Sequence, residues 1–506
     1  VGEYVVVIDV GTQSTRAALV DAQGIVHDAS SSQIQLYLPR PGWVEQDPED
    51  WWETTVANIA AVMGRNPKAS IGAVGVGAQM HGVVALGASG ASLTARSAIW
   101  CDKRCLDQVN AFERRPDSEE LSRLAGNRPL PAWAGFKMGW LRAEVPDAYE
   151  KAECLLVVKD FLNYRLCGQV ATDPAEASGS FLCDAATGQW SDALMEVLGV
   201  DRAKLPEIVD SWSVIGTVTR EVAGRTGLTK GTPVVAGSGD MMCQLLGSGI
   251  TKPGRCGLVS GTSSIMSLAA ESASPDFRIM NLRSASGGWI RFGIVDAAGE
   301  SLRWFVDTFC RGEGLEDPAG GGTGLLESFD PQAAQVEAGS GGLLFFPYLL
   351  GERTLGRARS RASFVGVTIR HERAHFLRAV MEGVALEDRR ALECLCPVGV
   401  QGPIRCTGGA AASSLWNQIR ADVFANPVQV LGSSEGGLQG SAILAGVAAG
   451  WYADAVAGAE EVVRLGGTWT PCPEAVAVYE HAFHTFSAVH DALDGRWEGW
   501  DDRVRS

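Results

Sequence analysis

Apolar residues run unbroken from Val5 to Ile8, give way to Asp9-Val10-Gly11-Thr12, and resume through Ala17-Ala18-Leu19-Val20. Short β-branched runs bounded by turn residues predict strands over 4–10 and 15–21. The turn signal Asp21-Ala22-Gln23-Gly24 leads into a third strand over 25–29, giving a β-meander. After the loop Pro39-Arg40-Pro41-Gly42-Trp43, Asp47-Pro48-Glu49-Asp50 sets an N-cap before a proline at the first helical position. A helix through about residue 63 is expected there. A strand over 71–77 follows and ends at Gln79-Met80-His81-Gly82.

The same grammar returns in the second half, with strands over 257–260 and 264–269 meeting at Gly261, a strand over 289–295 and a helix over 297–310. Each half opens with an apolar strand that breaks into Gly-Thr, first as Gly11-Thr12-Gln13-Ser14-Thr15-Arg16 and then as Gly261-Thr262-Ser263. Thr262 lies 250 positions after Thr12 in a chain of 506 residues, the spacing of an internal duplication. Glycine permits a tight hairpin whose N–H groups and hydroxyls face a phosphate, so two such loops suggest one phosphate chain held between two domains.

Between the repeats, residues 228–240 read as a strand ending in a glycine-flanked carboxylate, Gly239-Asp240. A short strand over 403–406 runs into Thr407-Gly408-Gly409-Ala410 and a helix over 414–425, a helix start across which a nucleotide can lie. Glycine-rich 319–324 has no strand feeding it and no Lys-Ser/Thr behind it, and reads as a surface loop. The stretch from Leu438 to Ala459 contains Gln439 and Asp454 and reads as a buried helix rather than a membrane span.

A chain of 506 residues exceeds one core, and two domains over 1–245 and 246–506 are expected. With 43 basic against 59 acidic residues, the net charge of −16 excludes general attraction to nucleic acid or anionic membrane. An anionic ligand must therefore be met by local donors or a divalent cation. The twelve cysteines lack metal-site spacing and no secretory leader is seen, so reduced thiols and a cytoplasmic protein are expected.

These motifs resemble the FGGY carbohydrate kinases, and within them most closely the xylulokinases. The resemblance is carried by the first Gly-Thr loop, Trp43 to Trp52, Gln79-Met80-His81-Gly82, Trp100-Cys101-Asp102-Lys103-Arg104, Lys159-Asp160-Phe161-Leu162 and Gly237-Ser238-Gly239-Asp240. The second half adds Gly261-Thr262-Ser263, Pro347 to Thr354, and Thr407-Gly408-Gly409-Ala410. The second family signature is met from Ala362 to Glu382, whereas Ala134 and Ala143 depart from the first around Gly135-Phe136-Lys137-Met138-Gly139-Trp140-Leu141.

The resemblance implies an α/β fold of two actin-like (ribonuclease H-like) domains with a duplicated core and a deep interdomain cleft. It implies ATP and Mg²⁺ as cofactors, a small sugar as the other substrate, Asp240 as the base that takes the sugar hydroxyl proton, and Asp9 as the metal residue. Gly11, Thr12, Gln13, Ser14, Thr15 and Arg16 face Gly261, Thr262 and Ser263 across the phosphates, with Gly408, Gly409, Ala410 and Asn417 flanking the adenosine. Gln79, Met80, His81, Trp100, Asp102 and Arg104 form the sugar pocket.

Met241 stands where xylulokinases carry Asn, Leu355 where Pro is usual, and Ser264 in place of a frequent Gly. D-xylulose is the first substrate expectation; gluconate, another ketose or a polyol is the alternative, and an actin-like nucleotide-binding regulator is the reading from another class. A homodimer is among the expected assemblies.

Overall fold

The computed structural model describes residues 2–310, 329–352, 354, 360–397, 399–493 and 496. The 319–324 loop and Leu355 lie outside them.

Two seven-stranded sheets organise the fold. In the first, β1 (Tyr4–Val10), β2 (Ser14–Asp21) and β3 (Val26–Gln33) form the expected antiparallel meander, and β4 (Ile71–Ala78) runs parallel to β1. Beyond β4, β5 (Val214–Thr217) pairs antiparallel with β6 (Pro233–Val235), while β7 (Ser238–Gly239) pairs directly with β4. The second sheet repeats the plan with β8 (Cys256–Ser260), β9 (Ser264–Ala270), β10 (Met280–Arg283), β11 (Trp289–Val295), β12 (Ile404–Thr407), β13 (Val428–Leu431) and β14 (Leu465–Trp469). Its order is β10-β11-β9-β8-β12-β13-β14, with β12 parallel to β8 as β4 is to β1.

Helix α1 (Pro48–Arg65) starts where the Asp47 carboxylate accepts the Glu49 N–H at 2.9 Å. Its Trp51, Trp52, Val56, Ile59, Val62 and Met63 recur at helical spacing and are buried against the first sheet. Each such side chain contributes roughly 1.5–3 kcal/mol of burial. Among the other helices of the first half, α2 (Ala134–Glu144), α3 (Val158–Cys167), α4 (Pro174–Ser178) and α5 (Asp240–Gly247) bear on the site. In the second, α6 (Gly299–Phe309), α7 (Arg373–Leu395) and α8 (Ser414–Phe424) pack on the second sheet or on one another.

Ahead of the C-terminal helix Pro473–Leu493, the pair α9 (Gly436–Ala448) and α10 (Ala455–Val462) joins the halves. Although it follows the second sheet in sequence, α9 lies against β1 and β4 of the first and crosses α5. The crossing is close because it is made by glycines: a Cβ on Gly440 would sit 1.9 Å from the Cys243 carbonyl oxygen, and one on Gly247 would sit 2.0 Å from that of Gly436. One apolar cluster consequently takes in Val5, Val7 and Ala18 from the first sheet, Leu245 and Leu246 from α5, and Leu438, Ala442 and Ile443 from α9.

Two expected elements are divided. The strand over 228–240 breaks at Ala236-Gly237, where the Asn163 amide takes the Ala236 carbonyl at 2.8 Å and Gly237 adopts φ 69°. The chain thereby passes from β6 to β7, and Asp240 opens a helix rather than ending a strand. The single helix expected between Leu438 and Ala459 is two, because Gly450 turns with φ 77° and Asp454 caps α10 by accepting the Ala457 N–H at 2.8 Å. No helix among the described residues is long and apolar enough to cross a membrane.

Candidate active site

Strand register brings the first set of candidate residues together. Val10 lies opposite Ala78 in the β1–β4 pair, and Ala78 lies opposite Gly239 in the β4–β7 pair. The chain segments after three neighbouring parallel strands thus leave the sheet at one edge: residues 11–13, residues 79–81, and Asp240. Such carboxyl ends of parallel strands are where α/β sheets bind ligands.

At this edge Gly11 donates its N–H to the Ser14 carbonyl three residues on at 3.0 Å, whereas Gly261 donates to the Ser263 carbonyl two residues on at 2.8 Å, so the repeated loops close on bonds of different span. Thr12 is held by the Gln46 amide on its carbonyl at 2.6 Å and by the Trp100 indole N–H on its hydroxyl at 3.0 Å, while Gln13 is exposed. Thr15 departs from its expected role: it is fully buried, and its hydroxyl lies 2.5 Å from that of Thr54 on α1. Strand alternation turns Thr15 to the helix-covered face, away from the loop. Arg16 is committed to an ion pair with Glu435 just before α9, a clasp between the halves that sequence reasoning missed.

Asp9 and Asp240 repel each other across the edge. Burial, followed by the neighbouring Asp9 charge, pushes the Asp240 carboxyl up to about 7, against which the Met241 N–H donates at 2.7 Å. Burial pushes Asp9 up to about 6, with Arg16 opposing and Glu435 adding to the rise. Asp240 is also the first residue of α5, where the helix dipole favours its ionised form. Among the described residues no group of three or more His, Cys, Asp or Glu side chains could hold a metal. One or two carboxylates suit Mg²⁺ that keeps waters and binds nucleotide phosphates, so Asp9, with its raised carboxyl, fits that role.

Met80 packs on the backbone of Gly239, where an added Cβ would meet its side chain at 2.4 Å. His81 adopts φ 67°, a left-handed conformation rare outside glycine, and its ring meets Trp133 edge to face at 5.1 Å. Burial first, and then the charge of Lys137, lowers its pKa to about 3, so the ring is neutral. Other expected sugar contacts are spent inside the protein. The Gln79 amide donates to Gln46 at 2.6 Å. Asp102, wholly buried, accepts from Val44 N–H at 2.6 Å and from Arg104, which also reaches Glu45 at 2.7 Å. These three brace the site's loops, as Trp100 does through Thr12, while Met80 and His81 stand on the loop beside Gly239 and Asp240.

Beneath both the His81 loop and the Asp240 strand lies a buried ionic network absent from the expectations. Asp173 accepts from Ser238 at 2.7 Å and Ser211 at 3.0 Å, and stands 3.3 Å from the Lys159 ammonium. Lys159 also pairs with Asp160, and Glu176 faces the His81 N–H at 3.5 Å. The Lys159-Asp160 dipeptide was visible in sequence; its partners were not, being distant along the chain.

On the second sheet, β8 and β12 run parallel with Val259 opposite Thr407, so the 261–263 and 408–410 loops emerge side by side. The α6 amides fix the first of these: Ala298 and Glu300 donate to the Thr262 carbonyl at 2.9 and 3.1 Å. Ser264 hydrogen-bonds Asp388 of α7 beneath it. Gly408 and Gly409 are exposed, and φ 93° at Gly408 lets it pass over Ser260, whose carbonyl would lie 2.4 Å from a Cβ there. Ala410 is buried within the following turn. Asn417 is wholly buried, and its amide supports the loop by donating to the Ala411 carbonyl at 2.7 Å instead of opening to a ligand.

The N-terminal domain model of the FGGY family of carbohydrate kinases matches residues 4–247, and its C-terminal domain model matches residues 256–449. A xylulose kinase from Bacillus subtilis (strain 168) is 30% identical over 498 residues, covering 96% of this chain and 97% of the relative. A gluconokinase from the same strain is 27% identical, covering 98% and 97%. The crystal structure of xylulose kinase from Rhodospirillum rubrum superposes with a TM-score of 0.90 at 29% identity, covering 98% of this chain and all of that one. Two sheets of matching order, a paired set of Gly-Thr turns and two domain models spanning most of the chain agree: this protein belongs to the FGGY family of carbohydrate kinases, phosphotransferases with an alcohol group as acceptor.

Proposed function

We propose that the protein phosphorylates D-xylulose to D-xylulose 5-phosphate with ATP, using Asp240 as the base. The observation carrying this reading is the position of Asp240, opening α5 beside Asp9 and next to the Met80 and His81 loop. The sugar lies against Met80, His81 and Trp100, with its primary hydroxyl toward Asp240. The ionised carboxylate accepts that proton as the oxygen attacks the γ-phosphate. Backbone N–H groups and hydroxyls at Gly11, Thr12, Gln13 and Ser14 receive the phosphates from one side, and Gly261, Thr262 and Ser263 from the other. The adenosine rests on Gly408 and Gly409. Mg²⁺ at Asp9 would neutralise charge on the phosphates.

Full-length similarity to xylulose kinases supports the ketopentose. A second reading, gluconate, is favoured by the gluconokinase relatives and by Met241, which offers no amide to a sugar hydroxyl beside the base. ADP release measured with D-xylulose, D-gluconate, other ketoses and polyols tests the choice. Selective turnover of D-xylulose supports the first reading, and a higher kcat/KM for gluconate replaces it with the second.

A further inference from the structure

A cavity of about 570 Å³ opens behind the sugar-side loops, lined by Trp43, Val83, Arg96, Arg104, Lys137 and Trp140 among others. Its volume falls in the roughly 300–1,000 Å³ range of small-molecule sites. None of Met80, His81, Trp100 or Asp240 lines it. Its walls are nonetheless the reverse sides of the loops that build the active site: Trp43 and Glu45 precede Gln46, which holds Thr12; Val83 follows His81; Arg104 follows Trp100.

The walls are closely packed and carry unspent cationic donors. The Trp43 and Trp140 rings meet at 89° with centroids 5.4 Å apart, and the Arg104 guanidinium is wedged 4.0 Å from one and 4.9 Å from the other. Arg104 Nε and Nη2 are engaged by Asp102 and Glu45, while Nη1 has no hydrogen-bond acceptor among the described residues. Lys137 is 1% exposed, and its ammonium donates to the Ala132 carbonyl but meets no carboxylate within salt-bridge distance among the described residues. Burial lowers the Lys137 ammonium to about 8 against the pull of Cys105 and Asp102, and a further anion would favour its charged form. At the rim stand two exposed charges, Arg96, its guanidinium 3.5 Å from the centroid of the Tyr37 ring, and Glu144.

We propose that this cavity is a second ligand site, which takes a small sugar phosphate: the phosphate meets Lys137 and Arg104 Nη1, and the polyol lies along the tryptophan wall. The proposal does not depend on which sugar is phosphorylated.

The test titrates D-ribulose 5-phosphate, D-ribulose and inorganic phosphate calorimetrically into the full chain, with its cleft filled by sugar and a non-hydrolysable ATP analogue. One equivalent of D-ribulose 5-phosphate should bind, at least tenfold more tightly than either fragment. Lys137→Met should weaken it tenfold or more, and Lys137→Arg should retain it. Two rim variants outside the catalytic machinery decide the matter if Lys137→Met does not fold: Arg96→Glu should weaken binding several-fold and Glu144→Lys should strengthen it. Absence of binding to the filled enzyme, equal affinity for inorganic phosphate, or indifference to both rim variants would overturn the proposal.

Discussion

Replacing Asp240 by Asn should remove phosphoryl transfer and, in the same molecule, increase stability. Burial and Asp9 raise the Asp240 carboxyl from 3.8 to about 7. Because an acid is raised, the folded state binds the proton more tightly than the unfolded chain does. Stability is therefore lost as pH climbs from the unfolded value through the folded one. At about 1.36 kcal/mol per unit, the raised carboxyl costs about 4 kcal/mol at pH 8, where it is ionised in the folded protein, and less than about 2 kcal/mol at pH 5, where it keeps its proton. Asn retains an oxygen for the Met241 N–H, now 2.7 Å from Asp240, without the charge. Urea denaturation of the ligand-free protein at both pH values should show the variant ahead by about 4 kcal/mol at pH 8, the advantage falling by more than half at pH 5. A coupled ADP assay of the same preparations should show activity lost in the variant. In the parent, activity should rise with pH through about 7 as the base ionises, and a divalent cation at Asp9 should shift that rise to lower pH. Equal stability of the two proteins at pH 8, or turnover undiminished by Asn, would refute the reasoning.

Two further substitutions probe the scaffold. Asp173→Asn removes the carboxylate that takes the Ser238 and Ser211 hydroxyls and faces Lys159; it should cost about 3 kcal/mol in urea denaturation and lower kcat more than it raises KM. Gly440→Ala places a Cβ 1.9 Å from the Cys243 carbonyl, so α5 and α9 must part; a loss of about 2–4 kcal/mol and a fall in kcat are expected, and an unchanged unfolding midpoint would contradict the tight crossing.

Local signals carried much of the architecture. Asp47-Pro48 marked the start of α1 because capping depends on adjacent residues, and the β-meanders declared themselves through short β-branched apolar runs and Gly-Thr turns. What escaped depended on partners far along the chain. The β6–β7 break is imposed by Asn163, and Arg16 meets Glu435 across 419 positions. Thr15 and Asn417 have the right residue types for phosphate or nucleotide contact, but only the sheet face and the helix surface on which they fall show that each is turned inward. Residue type identified the candidates at Gln79, Asp102 and Arg104, and tertiary hydrogen bonding assigned them to bracing the loops. The buried ionic network under the site required four acidic or basic groups from α3, α4 and the turn before α4 to converge, and no periodicity announces such a meeting.

The placement of α9 also governs how the molecule can be divided. Since the first sheet is covered on one face by a helix synthesised almost two hundred residues after its last strand, a ribosome cannot complete the first half before it has made the second. The halves repeat each other in plan and each holds apolar clusters of its own, yet the cluster around α5 and α9 draws on both, so unfolding of the second half would strip α9 from β1 and β4 and expose that face of the first sheet.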